Sequence, residues 1–421
     1  MQKNVLTKAV AVALATLGAG GAMAQSSVTL YGNVDVSVDH VSRSAGTSTS
    51  PTAKYSATRV SPSATSQTSF GFKGVEDLGG GMKASFVLEG QLNHDTGALS
   101  QDGRIFGRQS YVGLTTNFGE FRLGRQYAPI FYSTALVTTE RFGATDLFIE
   151  GGASNNLHVR HDNQISYWLK AGGFTGELSY SPNAGVASII SPARAPAATA
   201  STGQIIGGAT AGSETGTKAG RTFGLFGAYS SESLTLTGGY HQNAFDNTPV
   251  SYGGVFTTNF NLDKYQAFNL GAKFTVPNSS GLTFNGVYGQ GKYGLTDGRD
   301  LKLDFLAIGT RIPVGDWALV AQASQTRFRN FTKGKDTGLM LGADYALSKR
   351  TSLFTRVGQI RDDQGTPFAA TALGAAGPSV AGGPDVIGVA TGFRETPIFA
   401  GANINPDGKT TYIGMGIRHS F

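Results

Sequence analysis

Apolar and polar residues alternate with a period of two along much of this chain, and the last ten residues show the pattern clearly. Ile413, Met415 and Ile417 share one face of that segment, whereas the other face carries Tyr412 and small or polar residues. Successive side chains of a β-strand point to opposite faces. We therefore predict a strand with one face against an apolar environment and one face in water, ending on the aromatic residue Phe421.

The same alternation begins near residue 28 and returns throughout the chain. A strand, a tight turn and a second strand recur, and each such pair is followed by a longer polar connection. Tight turns are predicted near residues 76–81, 117–120, 170–173, 230–232, 277–281, 313–316 and 348–350, and long connections near 42–66, 93–104, 127–159, 182–220, 242–262, 292–299, 328–336 and 362–408. Short periplasmic turns and long extracellular loops are typical of outer-membrane barrels, so we predict an all-β, transmembrane antiparallel β-barrel of about 16 strands.

The beginning of the chain indicates export. Residues 1–24 contain the basic residues Lys3 and Lys8, an apolar core over residues 9–17 and an Ala22-Met23-Ala24 cleavage site, which is the pattern of a secretory signal peptide. The apolar run is shorter than the roughly 20 residues that a transmembrane helix needs. We therefore predict that residues 1–24 are removed and that residues 25–421 form one barrel domain in the bacterial outer membrane.

Composition supports a membrane wall rather than an ordinary water-soluble enzyme. Charged residues make up only 15% of the chain, and there are 60 Gly, 26 Phe and 15 Tyr. Glycine suits positions where strands bend or pack closely, and aromatic residues suit the membrane interfaces. Cysteine is absent, which excludes disulfides and thiolate metal sites. The formal net charge is +6, but the basic residues are scattered, so we expect no nucleic-acid partner.

Four segments resemble the general porins of Gram-negative bacteria, in particular those of Burkholderia, Bordetella and Neisseria relatives. The matching segments are Ser27–Gly32 (SVTLYG), Phe70–Gly81 (FGFKGVEDLGGG), Gly119–Tyr127 (GEFRLGRQY) and Gly416–Phe421 (GIRHSF). The resemblance implies a trimeric, water-filled barrel for passive diffusion of small hydrophilic solutes and ions. Its partners would be the other two subunits, outer-membrane lipid and lipopolysaccharide. The closing strand with Tyr412, Ile417 and Phe421 would seal the barrel and present Phe421 to the barrel-assembly machinery.

In this family the third long loop folds into the lumen and narrows it. The corresponding loop is residues 127–159, which combine aromatic and aliphatic residues with three acids, Glu140, Asp146 and Glu150. The resemblance places Arg108 and Arg160 in the family's basic cluster, facing these acids across the pore. Rings of charge of this kind set the selectivity of channels, although the same charges could simply solvate the lumen.

The remaining charged candidates have less specific roles. Alternation places Arg160 on one face with Asp162 and Gln164, whereas Arg125 shares a face with apolar residues and could instead brace a loop or a subunit contact. Four further residues are interpreted as lumen wall, namely Lys73, Lys83, Glu89 and Arg122. Asn33 and Ser69 stand where the family often has basic residues, so the sequence leaves the choice between anions and cations open.

Three other functions are less well supported. An enzyme would need an activated nucleophile or metal site, but the chain has no Gly-x-Ser-x-Gly or His-Glu-x-x-His motif, and we expect no catalysis, metal or cofactor. A sugar-, phosphate- or organic-anion-specific channel would share the barrel architecture. It would be expected to show a ladder of aromatic residues or arginines along the lumen, and the sequence shows neither. A surface adhesin would not need the terminal Phe421.

Overall fold

The computed structural model describes the chain from residue 27 onwards with several gaps. The described residues are 27–46, 54–62, 65–66, 68–99, 104–138, 159–184, 220–250, 260–296, 298, 300–329, 334–363 and 407–421. The predicted signal peptide therefore lies outside them and stays a prediction, as do the positions of Glu140, Asp146 and Glu150.

The described part of the chain forms nineteen strands and one helix. The strands are β1 (Ser27–Arg43), β2 (Tyr55–Pro62), β3 (Ser69–Gly79), β4 (Met82–Gly90), β5 (Leu92–Asn93), β6 (Ala98–Leu99), β7 (Gln109–Thr116), β8 (Gly119–Tyr127), β9 (Arg160–Ala171), β10 (Phe174–Ser181), β11 (Thr222–Ser230), β12 (Leu234–Val250), β13 (Phe260–Thr275), β14 (Thr283–Leu295), β15 (Asp300–Val314), β16 (Trp317–Arg329), β17 (Gly334–Ala346), β18 (Thr351–Asp363) and β19 (Lys409–Ser420), and the helix is α1 (Pro129–Ala135). Among the described residues no helix has the length and apolar character needed to span a membrane.

Seventeen of these strands close into one antiparallel barrel of sixteen wall strands, in which β2 and β3 together count as one, and this confirms the predicted fold. Each wall strand pairs with the next along the chain, and β1 pairs with both β3 and β19, so the sheet has no open edge there. The short turns fall where the sequence predicts them, for example at Asn117–Phe118 and Gly315–Asp316. The strand ends that flank the long connections lie at the opposite end of the barrel, which we call the loop end.

The two faces of the wall differ as the period-two pattern predicts. On β15, Leu306, Ile308 and Ile312 are exposed, whereas Phe305 and Ala307, which alternate with Leu306 and Ile308, are fully enclosed. The exposed apolar residues lie on the outside of the barrel, and the inner face carries many of the buried polar side chains. A strand with an apolar outer face and a polar inner face is the arrangement that suits lipid outside and water inside.

One segment predicted as loop is a strand. Residues 55–62 form β2, which pairs with the last part of β1 from Val36 to Arg43, whereas β3 pairs with the first part of β1. The strands β2 and β3 are therefore two parts of one wall strand with an interruption between them. The carboxylate of Asp35 accepts bonds from the backbone N–H groups of Thr65 and Ser66 at 3.0 and 2.8 Å, so it satisfies donors that the interruption leaves without a ladder partner.

The last strand closes the barrel. The strand β19 pairs with β1 from Asn33–Ser420 to Arg43–Thr410, and the backbone of Phe421 exchanges two hydrogen bonds with Gly32 at 3.1 and 3.2 Å. A side chain at Gly32 would collide with the Phe421 ring, so a glycine is required at that contact. Tyr412 is buried on the inner face and Ile417 is exposed on the outer face.

Candidate channel constriction

Helix α1 lies inside the barrel, within the loop predicted to fold into the lumen. Pro129 starts the helix, because its fixed φ suits the first helical position and its missing N–H has no helical partner there. The helix contacts the inner faces of β11, β12 and β13. The Asn269 amide donates to the Ile130 carbonyl at 3.3 Å, and Lys273 Nζ donates to the Leu136 carbonyl at 3.0 Å. The first turn and the end of the helix are therefore both tied to β13.

Two glycines let the helix approach the wall. A Cβ at Gly239 would lie 2.5 Å from Ser133 Oγ, and one at Gly271 would lie 2.6 Å from Val137 Cγ2. The bare backbone at these positions makes room for the hydrogen bonds of Ser133, whose hydroxyl contacts Asn269 and whose carbonyl accepts from Thr237. These inner-face glycines explain part of the high glycine content as a docking surface for the loop.

Aromatic packing anchors the other side of the helix. The Tyr132 ring lies 5.0 Å from Trp168 and 5.8 Å from Phe226 between ring centroids, and Trp168 and Phe226 belong to one buried cluster with Ala228. Tyr127, at the start of the loop, stacks on Phe131 with 4.5 Å between centroids. This apolar contact shields Tyr127, Phe131 and Tyr132 from water, as the sequence predicted for an inward-folded loop, whereas Phe142 and Phe148 lie outside the described residues.

Arg108 forms the centre of a polar cluster opposite these rings. Its Nε donates to Glu89 Oε1 at 2.5 Å, one terminal nitrogen donates to Gln91 Oε1 at 3.2 Å, and the other donates to the Tyr127 hydroxyl at 2.6 Å. The second oxygen of Glu89 accepts from the Tyr31 hydroxyl at 2.9 Å. These bonds use both edges of the guanidinium, so its position relative to the loop is fixed.

Arg160 reaches the same tyrosine from the far end of the loop. Its guanidinium lies over the Tyr127 ring, 4.7 Å from the centroid, and donates to the Tyr127 hydroxyl at 3.3 Å. Arg108 and Arg160 thus converge on one neutral hydroxyl, and both are buried. The two arginines that the family resemblance grouped are together in the structure, with Tyr127 between them.

The period-two alternation that was used to predict the face of Arg160 is interrupted between Gln164 and His161 on β9. The register of β8 against β9 shifts between Gly124 and Gln126, and Asn163 has a positive φ of 53°. Such a bulge changes which face the following side chains occupy. As a result His161 is fully buried and its ring contacts the Gln164 side chain at 3.1 Å, so both residues lie on one side.

Arg125 belongs to a separate cluster. It donates to the Gly107 carbonyl at 2.7 Å and to Asp162 Oδ1 at 2.5 Å. Asp162 also accepts two bonds from Arg104 at 2.9 and 3.0 Å. Arg125 therefore ties the segment before β7 to β9, as the bracing alternative from the sequence suggested. Sequence reasoning did not identify Arg104, because it lies in an irregular segment with no periodic pattern.

The four predicted wall residues have different environments. Lys73 and Lys83 are exposed, and Lys73 Nζ lies 5.1 Å from the centre of the Tyr31 ring. Arg122 forms two bonds with Glu120 at 2.9 and 2.8 Å and lies over the Trp168 ring. Glu89 is a buried partner of Arg108 rather than a solvated wall charge.

Charged groups of both signs lie near Tyr127. Two guanidiniums, Arg108 and Arg160, are accompanied in the contacts described by one carboxylate, Glu89, and by the neutral groups of Tyr31 and Gln91. Such an arrangement can orient water and attract anions. Over the described ranges, no group of three or more His, Cys, Asp or Glu side chains could hold a metal ion.

Comparison with known proteins shows extensive similarity to outer-membrane channels. A family model described as Gram-negative porin matches residues 9–365. Outer membrane porin protein 32 of Delftia acidovorans is 30% identical over 393 residues, covering 91% of this chain and 98% of its own, and an outer membrane porin protein of Bordetella pertussis is 29% identical, covering 84% and 93%. The solved anion-selective porin from Comamonas acidovorans has a TM-score of 0.66 at 25% identity and covers 94% of this chain and 100% of its own.

Proposed function

The chain belongs to the Gram-negative porin family, and from that premise we propose how its pore selects among solutes. As a porin it is a diffusion channel of the bacterial outer membrane, and its relatives are channels rather than enzymes or adhesins. We propose that the narrowest part of the pore lies between the loop that contains α1 and the Arg108–Arg160 pair. Small hydrophilic solutes and ions pass there by diffusion, and anions are favoured.

The observation that carries this proposal is the meeting of Arg108 and Arg160 at the Tyr127 hydroxyl. Tyr127 begins the inward-folded loop, so both guanidiniums are fixed relative to the element that narrows the lumen. The Tyr127 hydroxyl is neutral, and Glu89 is the carboxylate that accepts from Arg108. In a confined lumen, where the local dielectric constant is below that of water, two adjacent guanidiniums attract anions.

Two further observations bear on the sign of selectivity. The relative from Comamonas acidovorans is titled an anion-selective porin, which supports a preference for anions here. Asn33 contacts Ser66 rather than offering a charge, and Ser69 is likewise neutral, so the first two wall strands contribute no arginine at these positions. The proposed preference is therefore modest and depends on Arg108 and Arg160. The loop acids Glu140, Asp146 and Glu150 would face these arginines from the other side of the pore.

The proposal includes processing and assembly. Residues 1–24 are removed on export, and the mature barrel assembles as a homotrimer surrounded by outer-membrane lipid and lipopolysaccharide. The position of Phe421 at the seam between β1 and β19 supports its use as a signal for the barrel-assembly machinery. N-terminal sequencing of the outer-membrane protein should begin at Gln25, and unheated protein should migrate on a gel at three times the mass of the heated chain.

Conductance in planar bilayers tests the channel itself. Purified protein should give stepwise, ohmic current, and micromolar sugar should not block it. Arg160→Gln should lower the ratio of anion to cation permeability, whereas Lys349→Gln, which removes an exposed charge at a turn outside the lumen, should leave the ratio unchanged. Equal ratios of anion to cation permeability for the two variants would show that Arg160 does not lie at the constriction. Block by micromolar sugar would indicate a solute-specific channel.

A further inference from the structure

A row of basic residues lies on the outer surface of the barrel at the loop end of β14 to β19. Its seven members are Lys292, Lys302, Arg327, Arg329, Lys335, Arg361 and Lys409. Several are well exposed, with side-chain exposures of 45% for Lys335, 56% for Arg329 and 68% for Arg361. We refer to these seven residues as the basic belt.

The strand pattern places the basic belt outside the pore. On β15, Leu306 and Ile308 are exposed to the outside, and steps of two residues lead from Leu306 to Lys302 on the same face. Leu339 and Lys335 on β17 are related in the same way. At about 3.3 Å per residue, Lys302 and Lys335 each lie roughly 13 Å beyond the apolar outer residue of their strand. The belt therefore borders the lipid-facing surface at the loop end.

Strand pairing brings the basic side chains next to one another. Lys302 is directly opposite both Lys292 and Arg329 in the ladder. Arg327 is opposite Lys335, and Arg361 is opposite Lys409. Side chains directly opposite one another in an antiparallel sheet have Cβ atoms about 5 Å apart, and like charges at such positions are destabilising. Four such pairs along one surface are an electrostatic cost that a bound anion would remove.

Three acidic residues offset only part of this charge. Asp300 lies 2.8 Å from Lys292 Nζ and 4.0 Å from Lys302 Nζ. Asp304 pairs with Arg329, and Asp363 lies 3.1 Å from Lys335 and 3.6 Å from Arg361. With seven basic residues and three acids, the outward side chains named here carry four positive charges in excess. Within the described strands, Arg327 Nε donates to Gln325 Oε1 at 2.7 Å.

We propose that the basic belt binds the phosphate groups of lipopolysaccharide in the outer leaflet of the surrounding membrane. The belt is at the loop end, which faces the cell exterior when the short turns are periplasmic. The belt is positively charged and lies just beyond the apolar outer surface of the barrel. A lipid whose acyl chains pack against that surface would place its anionic headgroup at the height of the belt. Guanidinium groups bind phosphate oxygens in pairs, and clustered Lys and Arg at a membrane surface each strengthen the attraction to anionic lipid.

This inference concerns the outside of the barrel and is independent of the proposed selectivity of the lumen. The other occupant that the charge would suit is an acidic protein, and lipid binding tests separate the two. The probe is purified lipid A with both phosphates, compared with lipid A from which the phosphates have been removed. Native mass spectrometry of the detergent-solubilised trimer or monomer counts the bound lipid and gives its affinity.

The test variant removes three belt charges and leaves the acids with their remaining partners: Lys302→Gln, Arg327→Gln and Lys409→Gln. The control removes three charges near the turn end: Lys170→Gln, Lys349→Gln and Arg350→Gln. Unchanged single-channel conductance shows that each variant is folded. At roughly fivefold per basic residue near a membrane surface, the belt variant should bind diphosphorylated lipid A about 100-fold more weakly. The control should bind as the unmodified protein does.

Two results would overturn the proposal. One is equal affinity of the belt variant and the control for diphosphorylated lipid A. The other is equal affinity of the unmodified protein for the lipid with and without phosphates, which would show that only the apolar surface holds the lipid. Rising salt should also weaken binding to the unmodified protein more than to the belt variant, since fewer charges remain in the variant.

Discussion

Gly271→Ala should loosen the loop that narrows the pore. The new Cβ would lie 2.6 Å from Val137 Cγ2 and 2.7 Å from Thr237 Oγ1, both in the contact between α1 and the wall. Since ordinary contact begins near 3.4 Å, the end of the helix must move into the lumen by about 0.8 Å, the difference between the two distances, or the wall must distort. The wall strands are held by continuous ladders on both sides, so the loop is the part that moves.

The energetic effect follows from the contacts at this position. Overpacking by one methyl group costs about 1–3 kcal/mol. Moving the helix also weakens the bond from Lys273 Nζ to the Leu136 carbonyl, worth about 1 kcal/mol. The lower end of this sum, about 2 kcal/mol, would raise the undocked population of the loop roughly 30-fold.

Thiol labelling measures that population. The chain contains no cysteine, so Thr134→Cys introduces a single reporter at a buried position of α1. The rate of its reaction with a water-soluble thiol reagent should be about 30-fold higher with Gly271→Ala. The matched control is Gly238→Ala on the outer face of β12, where the new Cβ would lie 3.4 Å from its nearest neighbour, Leu270. Equal rates in the two backgrounds would refute the argument that inner-face glycines hold the loop.

Three further outcomes are expected. Asp35→Asn should lower the free energy of unfolding by about 2 kcal/mol, because the Asp35 carboxylate accepts two backbone N–H bonds at the break between β2 and β3. Urea titration of the detergent-folded barrel measures this change, and an unchanged midpoint would contradict this role of Asp35. Phe421→Ser should reduce the amount of folded protein in outer membranes, with His419→Gln at the same strand end as the control. Arg104→Gln should increase protease cleavage near Gly107, because it weakens the cluster around Asp162 that holds this segment; no change in the cleavage pattern would argue against bracing.

The barrel could be predicted from the sequence because every wall strand has different solvents on its two faces. That difference imposes a period of two on the sequence, which can be recognised without knowing which strands pair, as at Leu306 and Ile308 on β15. The interruption between β2 and β3 could not be predicted in this way. It depends on Asp35 reaching residues about thirty positions away, and the Ser- and Thr-rich composition of the segment resembles a loop.

The constriction could be predicted only in part. Arg108 and Arg160 were identified by resemblance, but their meeting at Tyr127 depends on how the loop turns inward. The partnership of Glu89 with Arg108 depends on the register of neighbouring strands, and alternation alone gives a face but no partner. The bulge at Asn163 could not be predicted either, since a positive φ at a non-glycine residue leaves little trace in the hydrophobic pattern.

Reversal potentials across a potassium chloride gradient test the central claim most directly. The Arg108–Arg160 pair is proposed to set selectivity through its charge, with Glu89 as the opposing carboxylate in the same cluster. Arg160→Gln should therefore shift the reversal potential toward cation preference, and Glu89→Gln should shift it toward anion preference, with single-channel conductance showing that both barrels are intact. Shifts in the same direction, or no shift in either variant, would contradict the account.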